Sequence, residues 1–451
     1  MHRQKKWNDK IIQFLHRWCM VEDFELPALI WAFFFFFFLL STIYMLRPFR
    51  DEMAIAAGVE HLQWLFTGTF TATLVMVPIF GLLIKKYPRQ KFLPAFFIFF
   101  ISNLLGFFML FKINFYPVIL ARTFFIWLGI FNVFVVSLFW SFMTDIFTNE
   151  QSRRLFGVIS AGGSAGAIIG PAFATLLVHT FGPVNLLLPA TLLLVLATLC
   201  IARLLNWSDR YSFDYSEGNS SPAKNHSHPI GGSIWSGIKA VFRSRYLMGI
   251  SLFIMLYTAV STFIYFERAY MVEQTISDPT TRTTFFAGID LTANILAIPA
   301  QFFITNRIIQ RFGLAIMFAI IPFFIILGFI SLSVLPVLSL LVGIQILHRV
   351  GNYSLLRPGR EILFTVTARE DRYKAKNFID TVIYRGSDAL TGWIFAGLIS
   401  LGLSLSVISL LGLPIAALWM LTGYTLGLKQ KDRRKQMKAE TNLDLLPHTE
   451  N

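Results

Sequence analysis

The feature that most constrains this chain is a series of long apolar stretches between residues 26 and 427. A helix needs roughly 20 consecutive, mainly apolar residues to cross the hydrocarbon core of a bilayer. The stretches have that length, and polar or basic residues separate them. We predict an all-α integral membrane protein with twelve transmembrane helices, at about 26–46, 63–84, 92–111, 117–142, 156–178, 184–205, 247–271, 285–305, 313–333, 336–356, 377–400 and 405–427.

Composition excludes an ordinary soluble protein. Hydrophobic residues make up 55% of the 451 residues and charged residues 14%, against about a quarter charged in soluble domains. The formal net charge of +14 would suggest nucleic-acid binding in a soluble chain. In a membrane protein it follows from the basic residues that crowd cytoplasmic loops. We therefore expect membrane lipid, and no nucleic acid, as a partner.

Lysine and arginine residues alternate between rich and poor loops along the predicted spans. They are concentrated in the first tail, in every second loop after it and in the last tail. Cytoplasmic loops of membrane proteins carry this excess of basic residues. The alternation predicts a multi-pass topology with both termini in the cytoplasm.

A polar stretch divides the predicted spans into six and six. We predict a cytosolic tail at 1–25, an N-terminal six-helix bundle at 26–205, a mostly disordered cytosolic linker at 206–246, a C-terminal six-helix bundle at 247–427 and a basic cytosolic tail at 428–451. In the first tail, apolar residues at helical spacing over 7–18 indicate a helix on the membrane surface. A frayed tail is the alternative.

Charged motifs repeat between the two halves and within them. Residues 148–154, after span 4, align with residues 368–374, after span 10. A second motif, at 46–52, ends span 1 and returns at 356–362, where span 10 ends in the opposite direction. Parallel halves that each contain an inverted repeat are typical of the major facilitator architecture. Chance similarity between apolar segments is the alternative.

The second motif places arginines and prolines at the ends of apolar helices. The arginines are Arg47, Arg50, Arg357 and Arg360, and the prolines are Pro48 and Pro358. Arginine keeps its charge and binds phosphate or carboxylate bidentately. Proline interrupts the helical hydrogen-bond ladder, and the freed backbone groups suit a polar cavity. We predict that the four arginines bind an anionic substrate. Ionic gates with neighbouring acids, or contacts with lipid phosphates, are the alternatives.

Acidic residues near the arginines are candidates for gating or charge coupling. Asp51 and Glu361 each follow an arginine of the repeated motif directly. Glu267 and Arg268 end span 7 after an apolar run, and charges at that depth are costly. We predict that this pair forms an ionic gate. Substrate contact or ion coupling by Glu267 is the alternative.

Span 11 contains a further pair of opposite charges. Arg385 and Asp388 are three residues apart, so they lie on one face of a helix. We predict that Arg385 contributes to the substrate site and that Asp388 contributes to gating or charge coupling. A buried pair that only neutralises itself is the alternative.

Two apolar features have structural rather than chemical explanations. Gly162, Gly166 and Gly170 are four residues apart and predict a face for close helix packing. The phenylalanine run at 33–38 is predicted to face lipid. We find no nucleophile motif, metal-ligand spacing or ATP-hydrolysing domain, so we expect no metal, no cofactor and no enzymatic activity.

Several of these segments, taken in order, resemble the nucleotide transporter (ATP/ADP antiporter) family. The resemblance is carried by the motifs at 44–51, 137–142 and 357–361 and by the basic residues at 374–376, and it extends over roughly 28–427. It implies a major-facilitator-like carrier that exchanges nucleotides across a membrane. Members of the family occur in plastid envelopes and in bacteria.

The resemblance also implies roles for individual residues. Arg50 with Asp51, and Arg360 with Glu361, match the family's two pairs of a basic and an acidic residue, and Glu267 matches its carboxylate near the end of span 7. Arginine stands here where the family usually has lysine. The family's glutamate in span 4 has no counterpart in this chain. These departures bear on ATP/ADP exchange more than on the broader class of anionic substrates.

We therefore predict a monomeric secondary transporter in a bacterial inner membrane. Its substrate is expected to be a small organic anion, with ATP and ADP as the best examples, moved by rocking of 26–205 against 247–427. One rival is a proton-coupled permease in which Glu267, Asp388 or His348 titrates. The other is a membrane protein that does not transport but retains a carrier scaffold.

Overall fold

The computed structural model describes residues 21–217, 234–367, 375–376 and 378–444, and within these ranges the chain is helical without a β strand. The all-α prediction is confirmed. Three sequence predictions lie outside the described residues: the surface helix at 7–18, the middle of the linker and the repeat at 368–374.

Six helices precede the linker in the described part of the chain. They are α1 Leu26–Ala56, α2 Leu62–Lys86, α3 Arg89–Lys112, α4 Pro117–Ile146, α5 Asn149–Phe181 and α6 Leu187–Glu217. Helix α7, Ile234–Arg243, lies within the predicted linker at 206–246, so the prediction of disorder is wrong for these residues. After it follow α8 Arg245–Thr275, α9 Pro279–Pro299, α10 Asn306–Val334, α11 Leu338–Gly351, α12 Arg357–Phe364, α13 Tyr384–Ser400 and α14 Leu405–Asp444. Three π-helical turns lie among them: π1 Ala300–Thr305, π2 Asn352–Leu356 and π3 Ile379–Ile383.

Nine helical stretches in the described ranges are long and apolar enough to cross a membrane. One of these stretches, Pro279–Val334, joins α9 to α10 and contains two of the predicted spans. The predicted count of twelve is therefore not confirmed. Helices α11 and α13 have only 14 and 17 residues because π-helical turns adjoin them, which divides the helices where spans 10 and 11 were predicted.

Two helix ends differ from the sequence predictions. Helix α1 continues through Pro48 to Ala56, so the predicted interruption at this proline is wrong. Pro48 cannot donate its backbone hydrogen bond, but the helical turns before and after it continue the helix. Helix α6 continues into the predicted disordered linker, where the Trp207 Nε1 atom donates to the Phe24 carbonyl and Gln90 donates to Asp209. These tertiary contacts explain why a polar sequence is helical here.

The chain divides into two compact units, each made of segments that are separate in sequence. Unit 1 comprises residues 1–57, 75–225 and 276–291, and unit 2 comprises residues 58–74, 226–275 and 292–451. Helices α2 and α9 therefore each contribute one part to each unit. The division of the moving bodies at 26–205 and 247–427 stays a prediction.

Within unit 1, the glycines of α5 pack directly against α1. A Cβ atom added to Gly162 would lie 2.5 Å from the Phe33 carbonyl oxygen, and one added to Gly170 would lie 2.6 Å from the Ser41 carbonyl oxygen. Gly166, between them, would overlap the Phe37 carbonyl. The predicted packing face is confirmed, and any side chain on it would separate the two helices.

The phenylalanine run on α1 only partly faces outward. Phe34 is exposed, but Phe35 and Phe36 are buried. The Phe36 ring stacks on Phe139 of α4 with the ring centres 4.2 Å apart. The prediction that the run faces lipid is therefore wrong for these two residues. Lipid and protein interior are equally apolar, so composition cannot distinguish them.

Candidate functional site

In unit 1, the first arginine motif lies beside acids of α1 and α9. The Arg50 Nη2 atom is 3.0 Å from the Asp51 Oδ1 atom, and the Arg50 guanidinium is 4.7 Å from the centre of the Phe125 ring. The Arg47 Nε atom is 3.8 Å from the Oδ2 atom of Asp290 on α9. Both arginines are half-buried, whereas both acids are buried. The positive charges of the motif therefore lie directly beside buried carboxylates.

A second ion pair fixes the start of α9 against α1. The side chain of Glu52 is 1% exposed, and its Oε1 atom lies 3.6 Å from the Nη1 atom of Arg282. Arg282 also donates from Nε to the Ile276 carbonyl. Asp278 caps α9 by accepting hydrogen bonds at 2.7 Å from the Thr281 hydroxyl and backbone N–H, which hold the pKa of Asp278 below its usual range. The first turns of α9 are therefore tied to unit 1 by charge.

In unit 2, the second arginine motif starts directly after turn π2. Pro358 has no N–H and leaves the Ser354 carbonyl without its usual helical donor. The Oγ1 atom of Thr305, the last residue of π1, donates to that carbonyl at 2.7 Å. A side chain from one π-helical turn therefore satisfies a carbonyl of the other, as buried polar groups require.

A second hydrogen bond joins the same two turns. Gln301 of π1 donates from Nε2 to the Tyr353 carbonyl of π2 at 3.0 Å. The ring of Tyr353 lies under the guanidinium of Arg357, with 5.0 Å between the Cζ atom and the ring centre. The interlocked turns thus set the position of the arginine motif, and π-helical turns often accompany functional sites.

The two charged residues that end the motif have different surroundings. The Arg360 Nη1 atom lies 3.0 Å from the Oδ1 atom of Asp380 in π3. Glu361 is exposed and pairs with Lys376 at 2.7 Å. Arg360 therefore belongs to the interior cluster, and Glu361 belongs to a pair at the surface.

The predicted arginines of unit 2 meet at Tyr384, the first residue of α13. Arg357, Arg360 and Arg385 all act electrostatically on its hydroxyl group, together with Asp388. The motif of α12 and the charged pair of α13, which are separate in sequence, thus form one cluster. The cluster contains both basic and acidic side chains.

The acid of this cluster has two partners. The Asp388 Oδ1 atom accepts a hydrogen bond from the Thr262 hydroxyl of α8 at 2.8 Å. Its Oδ2 atom lies 3.9 Å from the Nη1 atom of Arg385, at the limit of an ion pair. Asp388 therefore links α8 to α13.

The two residues of the predicted gate pair lie side by side on α8, and their role as an ionic gate stays a prediction. Glu267 is buried, and one of its oxygens accepts a hydrogen bond from the Ser409 hydroxyl of α14 at 2.8 Å. Arg268 is also buried and covers the Tyr265 ring at 4.8 Å. The two neighbouring charges therefore point to different surroundings within unit 2.

The structure groups seven of the predicted residues within the two units, whereas Glu267, Arg268 and Glu361 have other surroundings, and it adds residues that sequence reasoning missed. Unit 1 holds Arg47, Arg50 and Asp51, and unit 2 holds Arg357, Arg360, Arg385 and Asp388. The missed residues are Arg282 and Asp290. Asp290 lies within a predicted span. The same kind of position made Asp388 a candidate, so this signal could also have identified Asp290. No group of at least three His, Cys, Asp or Glu residues that could hold a metal occurs in the described ranges.

Long apolar helices are the mark of a multi-pass membrane protein, and family membership identifies this one as a transporter for a small-molecule substrate. Residues 26–351 match the Major Facilitator Superfamily, and the chain belongs to that family.

The chain is also similar to an individual transporter. The chain is 20% identical to ADP,ATP carrier protein 2 of Chlamydia pneumoniae over 459 residues, which cover 83% of this chain and 84% of the relative. The resemblance to nucleotide transporters is thereby confirmed.

Solved structures share the fold. A mutant of the nucleoside transporter NupG is 14% identical with a TM-score of 0.62, covering 90% of this chain and 100% of that chain. A bacterial homologue of the iron transporter ferroportin is 12% identical with a TM-score of 0.64, with the same coverage of both chains.

Proposed function

We propose that this protein is a secondary transporter for nucleotides that exchanges ATP-type and ADP-type anions across a bacterial inner membrane by alternating access. The proposal includes both termini in the cytoplasm and a monomeric carrier. Membership of the Major Facilitator Superfamily and the match to an ADP,ATP carrier support it.

The main structural support for the proposal is that Arg357, Arg360 and Arg385 all lie near enough to Tyr384 to act electrostatically on its hydroxyl group. Guanidinium groups keep their charge and bind phosphate oxygens bidentately. Asp380 and Asp388 are among their acidic neighbours in the described part of the chain. A chain of phosphates offers several anionic oxygens to such a group of guanidinium groups.

The grouping of arginines also favours exchange over one-way transport. Burying a charge without a counter-charge is costly. A carrier whose arginines are neutralised by substrate should change conformation more readily than an empty one. Arg47 and Arg50 of unit 1 form a second basic group, in which each arginine lies beside an acid.

Uptake into proteoliposomes tests the proposal. Purified protein would be reconstituted with and without internal ADP, and uptake of labelled ATP would be measured. We expect rapid uptake only in the preloaded vesicles. Absence of uptake from both preparations, with inserted and folded protein, would contradict nucleotide exchange.

The arginines provide a matched set of variants. We expect Arg50→Ala and Arg360→Ala to reduce exchange by at least about a hundredfold, because charged hydrogen bonds to phosphate are lost. Arg311→Ala should leave exchange unchanged, because Arg311 is exposed and lies over the Phe312 ring. Membrane insertion of all three would be checked by fluorescence size-exclusion chromatography. Normal exchange by both site variants would remove these residues from the site.

One observation favours a second candidate, a proton-coupled permease. Glu267 is buried, and the Ser409 hydroxyl donates to it. Buried acids in transporters often exchange protons with the transported solution. Uptake driven by a pH gradient, lost in Glu267→Gln and independent of internal nucleotide, would support this candidate over the exchanger.

A further inference from the structure

We infer that unit 2 also binds the aromatic base of the substrate, on a tyrosine platform formed by Tyr257 and Tyr384. The inference rests on the proposed nucleotide transport and adds a base-recognition site to the phosphate site.

The platform lies on two helices that carry different parts of the site. Tyr257 is on α8 and Tyr384 begins α13, and their ring centres are 6.3 Å apart at an angle of 45°. Both rings are half-buried, so part of each remains open to a ligand. Aromatic faces of this kind bind nucleobases by stacking, whatever the base.

Buried side chains support Tyr257 from behind. The His348 ring stacks on Tyr257 with 5.1 Å between centres and 9° between planes. Trp419 lies 5.6 Å from Tyr257 and is fully buried. Tyr257 is therefore held in position by aromatic packing against buried neighbours, while the residue itself is only half-buried.

The same region contains polar atoms that suit a heterocycle rather than a hydrocarbon. Among the described residues, Gln345 Oε1, His348 Nε2 and Trp419 Nε1 are buried without a hydrogen-bond partner. All three side chains are at least nine-tenths buried, and Gln345 lies one helical turn before His348. Unsatisfied polar groups are costly, so a ligand that offers donors and acceptors is favoured there.

The platform is adjacent to the arginine cluster. The charges of Arg357 and Asp388 act on the Tyr257 hydroxyl, and the charges of Arg360 and Arg385 reach Tyr384. A base stacked on the tyrosines would therefore leave its phosphates near the guanidinium groups. The predicted substrate class is an aromatic heterocycle that carries a phosphate chain.

Binding of ATP and of inorganic tripolyphosphate to the purified full-length chain in nanodiscs tests this assignment. Tripolyphosphate carries the phosphate charge without a base. We expect wild-type protein to bind ATP about tenfold to a hundredfold more tightly than tripolyphosphate, because base stacking contributes on that scale. Tyr257→Leu should lose this preference and retain tripolyphosphate binding, which also shows that it is folded.

Two further variants make the test specific. Tyr257→Phe keeps the ring and should keep the preference for ATP. Tyr424→Leu, which removes an exposed tyrosine of α14, should also leave the preference for ATP unchanged.

Equal wild-type affinity for the two ligands would overturn the base site but not the phosphate site. Loss of both ligands by Tyr257→Leu, with Tyr257→Phe intact, would assign the ring to folding and overturn the inference. Failure of wild-type protein to bind either ligand would overturn the proposed function itself.

Discussion

Buried carboxylates of unit 1 are matched by arginines from a helix distant in sequence. Glu52 faces Arg282, and Asp290 faces Arg47. A buried ion pair contributes little net stability compared with apolar packing, but removal of one partner leaves an uncompensated charge. These pairs therefore act as a constraint on which helices can pack together.

Arg282→Gln tests this constraint. We expect it to lower the free energy of unfolding by roughly 3–5 kcal/mol, because Glu52 would remain buried without its counter-charge. Thermal unfolding in detergent, followed by tryptophan fluorescence, measures the effect.

The double variant Glu52→Gln with Arg282→Gln is the control. It should recover most of the lost stability, because neither side chain is then charged. A single variant as stable as wild type would show that solvent reaches Glu52 and that the pair is not a constraint.

At this scale, sequence reasoning predicted the basic residues better than their partners. Arginines at the ends of apolar stretches are conspicuous, and Arg357, Arg360 and Arg385 indeed lie together. Asp290 was missed because its partner Arg47 is on another helix, and no spacing rule relates them. Whether these residues bind substrate stays a prediction.

At the scale of elements, the π-helical turns explain how a proline is tolerated beside the arginine motif. The side chains of Gln301 and Thr305 in turn π1 donate hydrogen bonds to backbone carbonyls of turn π2. The sequence predicted a break at Pro358 but not the partner turn, because π-helical turns have no reliable sequence signature. Their pairing depends on the packing of α10 and α11 in unit 2.

Thr305→Val removes the hydroxyl and preserves the shape of the side chain. We expect it to raise the KM of exchange by about tenfold, because the unsatisfied Ser354 carbonyl costs about 1–3 kcal/mol and the arginine motif shifts. Thr305→Ser keeps the hydroxyl and should restore the wild-type KM. An equal loss of folded protein in both variants, with unchanged KM in the remainder, would assign Thr305 to stability alone.

The contact between α1 and α5 offers a test that does not depend on substrate. Gly162→Ala should destabilise the protein by about 1–3 kcal/mol, because the new methyl group would overlap the Phe33 carbonyl. Gly157→Ala on the same helix is the control, since its Cβ atom would meet no atom within 4 Å. Thermal unfolding of both variants would be compared. Similar melting temperatures would show that α5 can move away from α1.

At the scale of the whole molecule, unit 1 contains residues 276–291 and unit 2 contains residues 58–74. Each unit therefore needs a segment from the opposite part of the chain. Separate expression of residues 1–225 and 226–451 should yield little folded protein, whereas co-expression should yield a complex that co-purifies. Size-exclusion chromatography with a tag on one fragment measures this. A stable, monodisperse fragment expressed alone would show that the exchanged segments are dispensable.

The general architecture was accessible to sequence analysis because membrane insertion imposes long apolar helices and a charge asymmetry between loops. The membrane class followed from those signals, and the major facilitator architecture followed from the repeated charged motifs. The tyrosine platform did not, because Tyr257 and Tyr384 are distant in sequence and tyrosine is common in membrane proteins. Substrate identity depends on such combinations of side chains from different helices.

The position of α9 in unit 1 has a consequence for biogenesis. Proteins are synthesised from the N-terminus, and earlier segments fold first. Arg47 and Glu52 leave the ribosome long before Asp290 and Arg282, the residues that neutralise them. During that interval α1 must hold its charges near water or near the insertion machinery. Unit 1 should therefore become resistant to protease only after the ribosome has passed residue 291.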